Sequence, residues 1–320
     1  MAYYRIDPER VAANRRRNLL HAAVLVGSMT ALLAAVGWFM AGPAGLILIA
    51  FFAGTTLTIG PRISQRIMLQ IYSARPLARR EVPMLYDLVD ALRERAEITA
   101  PVNLYYIPSR LMLAFTVGGQ DSIGMALSDG LLRKLSGREI SGVLAHELSH
   151  VAHHDLTLMA LADFVTKVTR TLALLALILL AINLPYLMSG EVAIPWPPIA
   201  LLMVAPLLSL LLQLGLSRAR EYDADAGAAL LTGDPEAIAS ALQKMDAQQR
   251  RYWETLMGRQ GAVDQPSLLR THPRTEDRVN VLAQYTTREP GELPDLPPDV
   301  LPPRPDGPDD PRRRFHGFRF

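Results

Sequence analysis

Two stretches almost without charge decide what this chain can fold into. Ala22–Gly60 contains no Asp, Glu, Lys or Arg, and Thr171–Ser217 carries only Glu191. A helix crosses about 30 Å of hydrocarbon with about 20 apolar residues, so each stretch is long enough to cross and return. The expectation is four transmembrane helices in two hairpins, 19–60 and 171–217. In the first hairpin, spans at Leu19–Met40 and Pro43–Gly60 meet at Gly42-Pro43, a turn-forming pair. In the second, Leu172–Met188 and Ile199–Leu216 are parted by Pro195, Pro197 and Pro198, with Trp196 as an interfacial anchor. The first stretch far exceeds the apolar core of a cleaved signal peptide, and the pattern excludes a wholly soluble, fibrous or disordered chain.

The net charge of +2 is too small for a nucleic-acid partner, but its distribution orients the chain. Arg15, Arg16 and Arg17 precede the first stretch, Arg62, Arg66, Arg75, Arg79 and Arg80 follow it, and Arg218 and Arg220 follow the second. The two hairpin tips carry no Lys or Arg. By the positive-inside rule both ends and the central polar region face the cytoplasm. Cysteine is absent, which rules out disulfides and thiolate metal sites.

Between the hairpins, Leu77–Ala96 reads as an amphipathic helix. Val102–Ile107, Met112–Val117 and Ser122–Leu127 read as short strands, the last two joined at Gly118-Gly119. Ser136 and Glu139 form a capping-box pattern that starts a helix running to about His153. After the second hairpin, helical stretches are expected near Arg220–Leu231 and Pro235–Met257.

The capped helix contains His146-Glu147-Leu148-Ser149-His150. Residues i and i+4 share a helix face, so both imidazoles reach one zinc while Glu147 reaches a water on it. With 7 histidines in 320 residues, chance placement gives about 0.006 such patterns, which favours a metal over a polar face that happens to hold two histidines. A metzincin would have His six residues after His150, where this chain has Leu156, so the third ligand must be distant. Glu221 is a candidate, with Asp225 one turn on to orient a ligand imidazole; the competing reading pairs Glu221 with Arg218 or Arg220. His153 and His154 read as solvated turn residues or as a pair behind the metal ligands, with Asp155 capping the next helix. One straight helix from His150 to Thr171 would carry His150 about 31 Å from the apolar segment, beyond reach of Glu221, so either the helix breaks there, the favoured reading, or the span helices project well into the cytoplasm.

Together with Ser217–Asp225, and with Thr271-His272-Pro273 and Arg278, this motif resembles the bacterial HtpX-type membrane zinc metallopeptidases, relatives of the Ste24 and CAAX proteases. The resemblance spans roughly Met1–Ala283. It implies a mainly α fold with a small β-sheet, a zincin-like (gluzincin) catalytic domain combined with the four spans. It implies one zinc held by His146, His150 and Glu221, Glu147 as general base, Asp225 behind a ligand, and His272 near the developing oxyanion. It further implies endoproteolysis of misfolded membrane proteins at the inner membrane. Leu113-Ala114-Phe115 stands where the family has Asn-Ala-Phe, so Leu113 lacks that amide contact to substrate.

The expected organisation is a cytoplasmic segment 1–18, hairpin 19–60, a first catalytic part 61–170 with the zinc helix, hairpin 171–217, a second catalytic part 218–286 with the third ligand, and a disordered Pro/Arg/Asp-rich tail 287–320. Partners are protein substrates and the bilayer. A different class stays open: a membrane scaffold, or a partner of another protease, that keeps zinc without turnover. The oligomeric state is not legible.

Overall fold

A computed structural model describes residues 5–6, 8–118, 122–189, 196–257 and 273–287. Its architecture is mainly helical with a small mixed sheet. Strand β1 (Arg5–Ile6) is followed by α1 (Pro8–Ile71), β2 (Arg75–Pro76), α2 (Pro83–Arg95), β3 (Val102–Ile107), β4 (Ala114–Gly118) and β5 (Ile123–Ser128). Then come α3 (Asp129–Lys134), α4 (Gly137–Ala152), α5 (Asp155–Ser189), α6 (Trp196–Thr232), α7 (Pro235–Met257), α8 (Thr275–Gln284) and β6 (Thr286–Thr287).

Among the described residues three helices, α1, α5 and α6, are long and apolar enough to cross a membrane. Helix α1 is two arms, because Ala41 and Gly42 leave helical geometry and Gly42 takes a φ of +55°. The arms fold back on each other. A side-chain carbon on Gly45 would lie 2.0 Å from the Gly37 carbonyl oxygen, a contact that eight residues of straight helix could not make. Among the described residues nothing covers the outer faces, where Ile47 is 70 % and Leu174 64 % exposed. Between α5 and α6 the polar groups pair: Thr166 donates to Gln213 at 2.7 Å, and the Thr169 and Ser209 hydroxyls lie 2.8 Å apart.

The long helices do not stop where the apolar residues do. Helix α5 starts at Asp155, before the apolar segment, and α6 runs unbroken from Trp196 to Thr232. The separate helix expected near Arg220–Leu231 is therefore the end of α6. Nothing between Leu216 and Arg220 breaks helical geometry, so the chain simply continues. The break expected after the zinc helix is present: α4 ends at Ala152 and His154 sits at φ +56°.

The sheet has order β2-β3-β5-β4, with β3 and β5 parallel and the other pairs antiparallel. All six residues of the inner strand β5 are buried. Helix α2 begins only at Pro83, since Arg75-Pro76 pairs with β3 and the Leu77 amide donates to the Leu104 carbonyl. Leu85 and Val89 of α2, Met125 and Leu127 of β5, Leu144 and Leu148 of α4, and Ile238 of α7 share one core. Helix α7 starts at Pro235, as its sequence predicts. Helix α3, which the sequence reading leaves unassigned, starts where the Ser128 side chain accepts from the Leu131 amide. Thr287, placed in the tail by the sequence reading, pairs with Arg5; positions 288–320 lie outside the described residues.

Glu139 ties α4 to α7. The capping box is formed, and the Glu139 carboxylate also accepts from Ser240 at 2.5 Å and from Lys244 at 2.8 Å. Burial alone would raise its pKa, but Lys244, Ser240 and Ser136 outweigh that and hold it below the usual carboxylate range. A depressed folded pKa stabilises above the unfolded value of about 4.3, and the effect is lost as pH falls through the folded one. Glu139→Gln is accordingly expected to destabilise by about 1–3 kcal/mol at neutral pH, with the gap closing in acid. Thermal unfolding of both proteins in detergent at neutral and acid pH checks this, and a gap that widens in acid would contradict it.

Candidate metal centre

Helix α4 presents His146 and His150 one turn apart, and α6 brings Glu221 to the same point. The two Nε2 atoms lie 3.2 Å apart. Glu221 Oε2 is 3.6 Å from His146 Nε2, and Oε1 is 3.9 Å from His150 Nε2. Ligands about 2.0–2.1 Å from a tetrahedral zinc stand roughly 3.3 Å from one another, so these donors are spaced for one ion. Gly227 permits the approach of α6 to α4, since a side-chain carbon there would lie 2.0 Å from Ser149 Oγ.

The far nitrogens fix the chemistry of the near ones. His150 Nδ1 is 2.8 Å from Asp155 Oδ2. A carboxylate only accepts, so Nδ1 carries the proton and Nε2 presents a lone pair. His146 Nδ1 lies 3.1 Å from Asp225 Oδ1, at ion-pair distance but without the alignment of a hydrogen bond. Two imidazole lone pairs and a carboxylate thus face one another, an arrangement that a cation satisfies. Burial alone would lower the His150 pKa, but Asp155, Glu147 and Glu221 outweigh it and raise it.

Two buried ion clusters hold these groups. Arg278 of α8 donates to both oxygens of Asp225, at 2.6 and 2.7 Å, and places Nη1 2.9 Å from Glu221 Oε2. Its burial opposes its charge, yet the carboxylates of Asp225 and Glu221 more than compensate and raise its pKa. On the other side Arg220 donates to Asp155 and, at 2.6 Å, to Asp223. Asp223 also accepts from Asn18 of α1 at 2.8 Å. Glu147 Oε2 accepts from the Thr116 hydroxyl of β4 at 2.9 Å.

The structure brings together His146, His150, Glu221 and Asp225, with Glu147 on the same helix; His272 lies outside the described residues. Arg220 faces Asp155 and Asp223, and it is Arg278 that pairs with Glu221. Asp155 opens α5 as expected, but its two oxygens serve His150 and Arg220 instead of capping the helix. The turn at His153-His154 swings it back toward α4. Thr116 has no sequence signal, and Arg278 enters the sequence reading only as part of a motif, with no role. His153 is held by Ser149 at 3.3 Å and by Arg15 at 3.0 Å. Burial, then the Arg15 charge, lowers its pKa to about 4.

The model of peptidase family M48 matches residues 81–286. A protease HtpX homolog of Methylibium petroleiphilum is 33 % identical over 275 residues, 82 % of this chain and 95 % of that protein. One from Nostoc punctiforme is 33 % identical over 284 residues, 85 % of this chain and 98 % of that protein. The crystal structure of S. mikatae Ste24p superposes with a TM-score of 0.51 over 88 % of this chain and 68 % of that one at 19 % identity, a likeness of fold. With a family model covering well over half its length and relatives matched nearly end to end, the chain belongs to peptidase family M48.

Proposed function

We propose that the protein is a zinc-dependent endopeptidase of the cytoplasmic membrane, with His146, His150 and Glu221 as metal ligands. The observation that carries this reading is the convergence of two Nε2 lone pairs and the Glu221 carboxylate beside Glu147. When bound, zinc acidifies water and polarises a peptide carbonyl. Glu147 accepts the proton of the attacking water and returns it to the leaving amine. Thr116 holds Oε2 of Glu147, which leaves Oε1 to carry that proton. Asp155 keeps His150 in the tautomer that ligation needs, and the Asp225 carboxylate beside His146 Nδ1 favours the same tautomer there through its charge. His272, by family resemblance, stabilises the oxyanion.

Strand β4 supplies a way to bind an extended peptide. It is an edge strand, and Leu113 takes the Ser128 amide just before it. Alternation in an antiparallel ladder then turns the N–H and C=O of Ala114 and Thr116 outward. Added-strand pairing gives affinity through the main chain and little sequence selectivity, which suits misfolded membrane proteins as substrates. Leu113 contributes backbone bonds only, so selectivity from an amide at that position is not expected.

The topology follows from the same framework. The two arms of α1, with α5 and α6, make four spans in two hairpins, with the metal centre on the cytoplasmic side. Glu221 lies five residues past Leu216, about 7–8 Å along the helix, so segments of a membrane protein reach the site without full extraction.

Three outcomes test this reading. His146→Ala, His150→Ala and Glu221→Ala are each expected to empty the site of zinc, whereas Glu147→Gln keeps the metal and loses at least about a hundredfold in casein cleavage. Metal analysis beside the cleavage assay separates protease from scaffold: full cleavage by Glu147→Gln would defeat the protease assignment. Ala114→Pro removes an outward donor and should slow cleavage about tenfold with zinc retained; an unchanged rate would place the substrate elsewhere. A reporter inserted after Ser189 should read opposite to one at the C-terminus, and equal readings would overturn the topology.

A further inference from the structure

A cavity of about 670 Å³ lies where α1, α6 and the end of α8 meet, and the metal centre does not use it. It follows one stripe of the first arm of α1, from Asn14 and Arg17 through His21 to Leu25, and one stripe of α6, from Gly215 to Tyr222. Neither Glu221 nor Asp225 lines it. The α1 stripe covers about 16 Å along the helix axis.

The two ends of the cavity differ in chemistry. Its polar end carries Arg17, and Arg218 stands one turn of α6 beyond Gly215 with its Nε donating to the Leu214 carbonyl at 3.2 Å; no Asp or Glu is among the described residues that line the cavity. Asp223, beneath, is engaged by Asn18 and Arg220. The Tyr285 hydroxyl accepts from Asn14 at 3.2 Å and keeps its own proton to donate. The other end is lined by Val24, Leu25 and Gly215, inside the two uncharged stretches. Leu20 and Val24 beside it are 68 % and 66 % exposed. Cations at one end and lipid-facing apolar groups at the other, joined across the charge boundary of two spans, match an amphiphile with an anionic head.

We propose that this cavity binds an anionic phospholipid, its phosphate between Arg17 and Arg218 and its acyl chains along Val24, Leu25 and Gly215. A free anion would use only the basic end and leave the apolar end unfilled. The inference rests on α1 and α6 lying in a bilayer, part of the topology above, and is independent of the metal chemistry.

Full-length, zinc-loaded protein, delipidated in neutral detergent, is titrated with dioleoylphosphatidylglycerol or dioleoylphosphatidylcholine, and retained lipid is counted by native mass spectrometry. One phosphatidylglycerol should be held about tenfold more tightly than phosphatidylcholine, as two basic side chains at a headgroup predict. The double variant Arg17→Gln with Arg218→Gln should abolish the preference, whereas Arg16→Gln, exposed and outside the cavity, should keep it. Gly215→Leu fills the apolar end and should lower retention with both arginines in place. If the double variant fails to fold, Gly215→Leu decides alone. No preference in the unaltered protein, or a preference kept by the double variant, overturns the proposal. Displacement by millimolar inorganic phosphate with Gly215→Leu binding normally also overturns it, in favour of a free-anion site. Absence of any preference in the unaltered protein, with its zinc-dependent cleavage intact, would reject the lipid site and leave the protease reading standing.

Discussion

A carboxylate sealed from water governs how this molecule is assembled. Asp225 is 0 % exposed, and an isolated charge so placed would cost several kcal/mol. Arg278 meets both its oxygens and His146 approaches one of them, so α8 must dock on α6 beside α4. Asp155 and Asp223 impose the same demand opposite, where Arg220 answers both and Asn18 draws in α1. One imidazole is set against each cluster. The candidate ligands therefore stand on a frame of paired charges gathered from five helices.

That frame also explains why the apolar helices outrun their apolar residues. If α6 ended at Leu216, Arg220, Glu221, Asp223 and Asp225 would lie on a loop, where buried charges are hard to hold in fixed geometry. Continuing the helix puts them on a rigid rod packed among the long apolar helices. Helix α5 does the same for Asp155 from its first residue. The broken connection at His153-His154 then lets α4 and α5 take different directions while His150 and Asp155 stay in contact.

Local patterns were legible from the residues alone. The capping box at Ser136 and Glu139, the turn at Gly42, the start of α7 and the spacing of His146 and His150 are set by neighbours in sequence, and each appears in the structure as read. What escaped depends on where distant segments meet. Asp155 looks like a helix cap until the turn before it brings it onto His150, and nothing local marks Thr116 as a partner of Glu147. The continuity of α6 was hidden because hydropathy changes at Ser217 although backbone geometry does not.

The pairing of Arg5-Ile6 with Thr286-Thr287 joins segments about 280 positions apart, and Arg278 lies just ahead of the second one. During synthesis His146 and His150 leave the ribosome some 130 positions before the arginine that neutralises Asp225 and touches Glu221. Until then the unfinished chain lacks the cation that lets these carboxylates be buried. A centre assembled in this order is completed only once Arg278 has been made, so its two histidines wait for a partner that arrives late in synthesis.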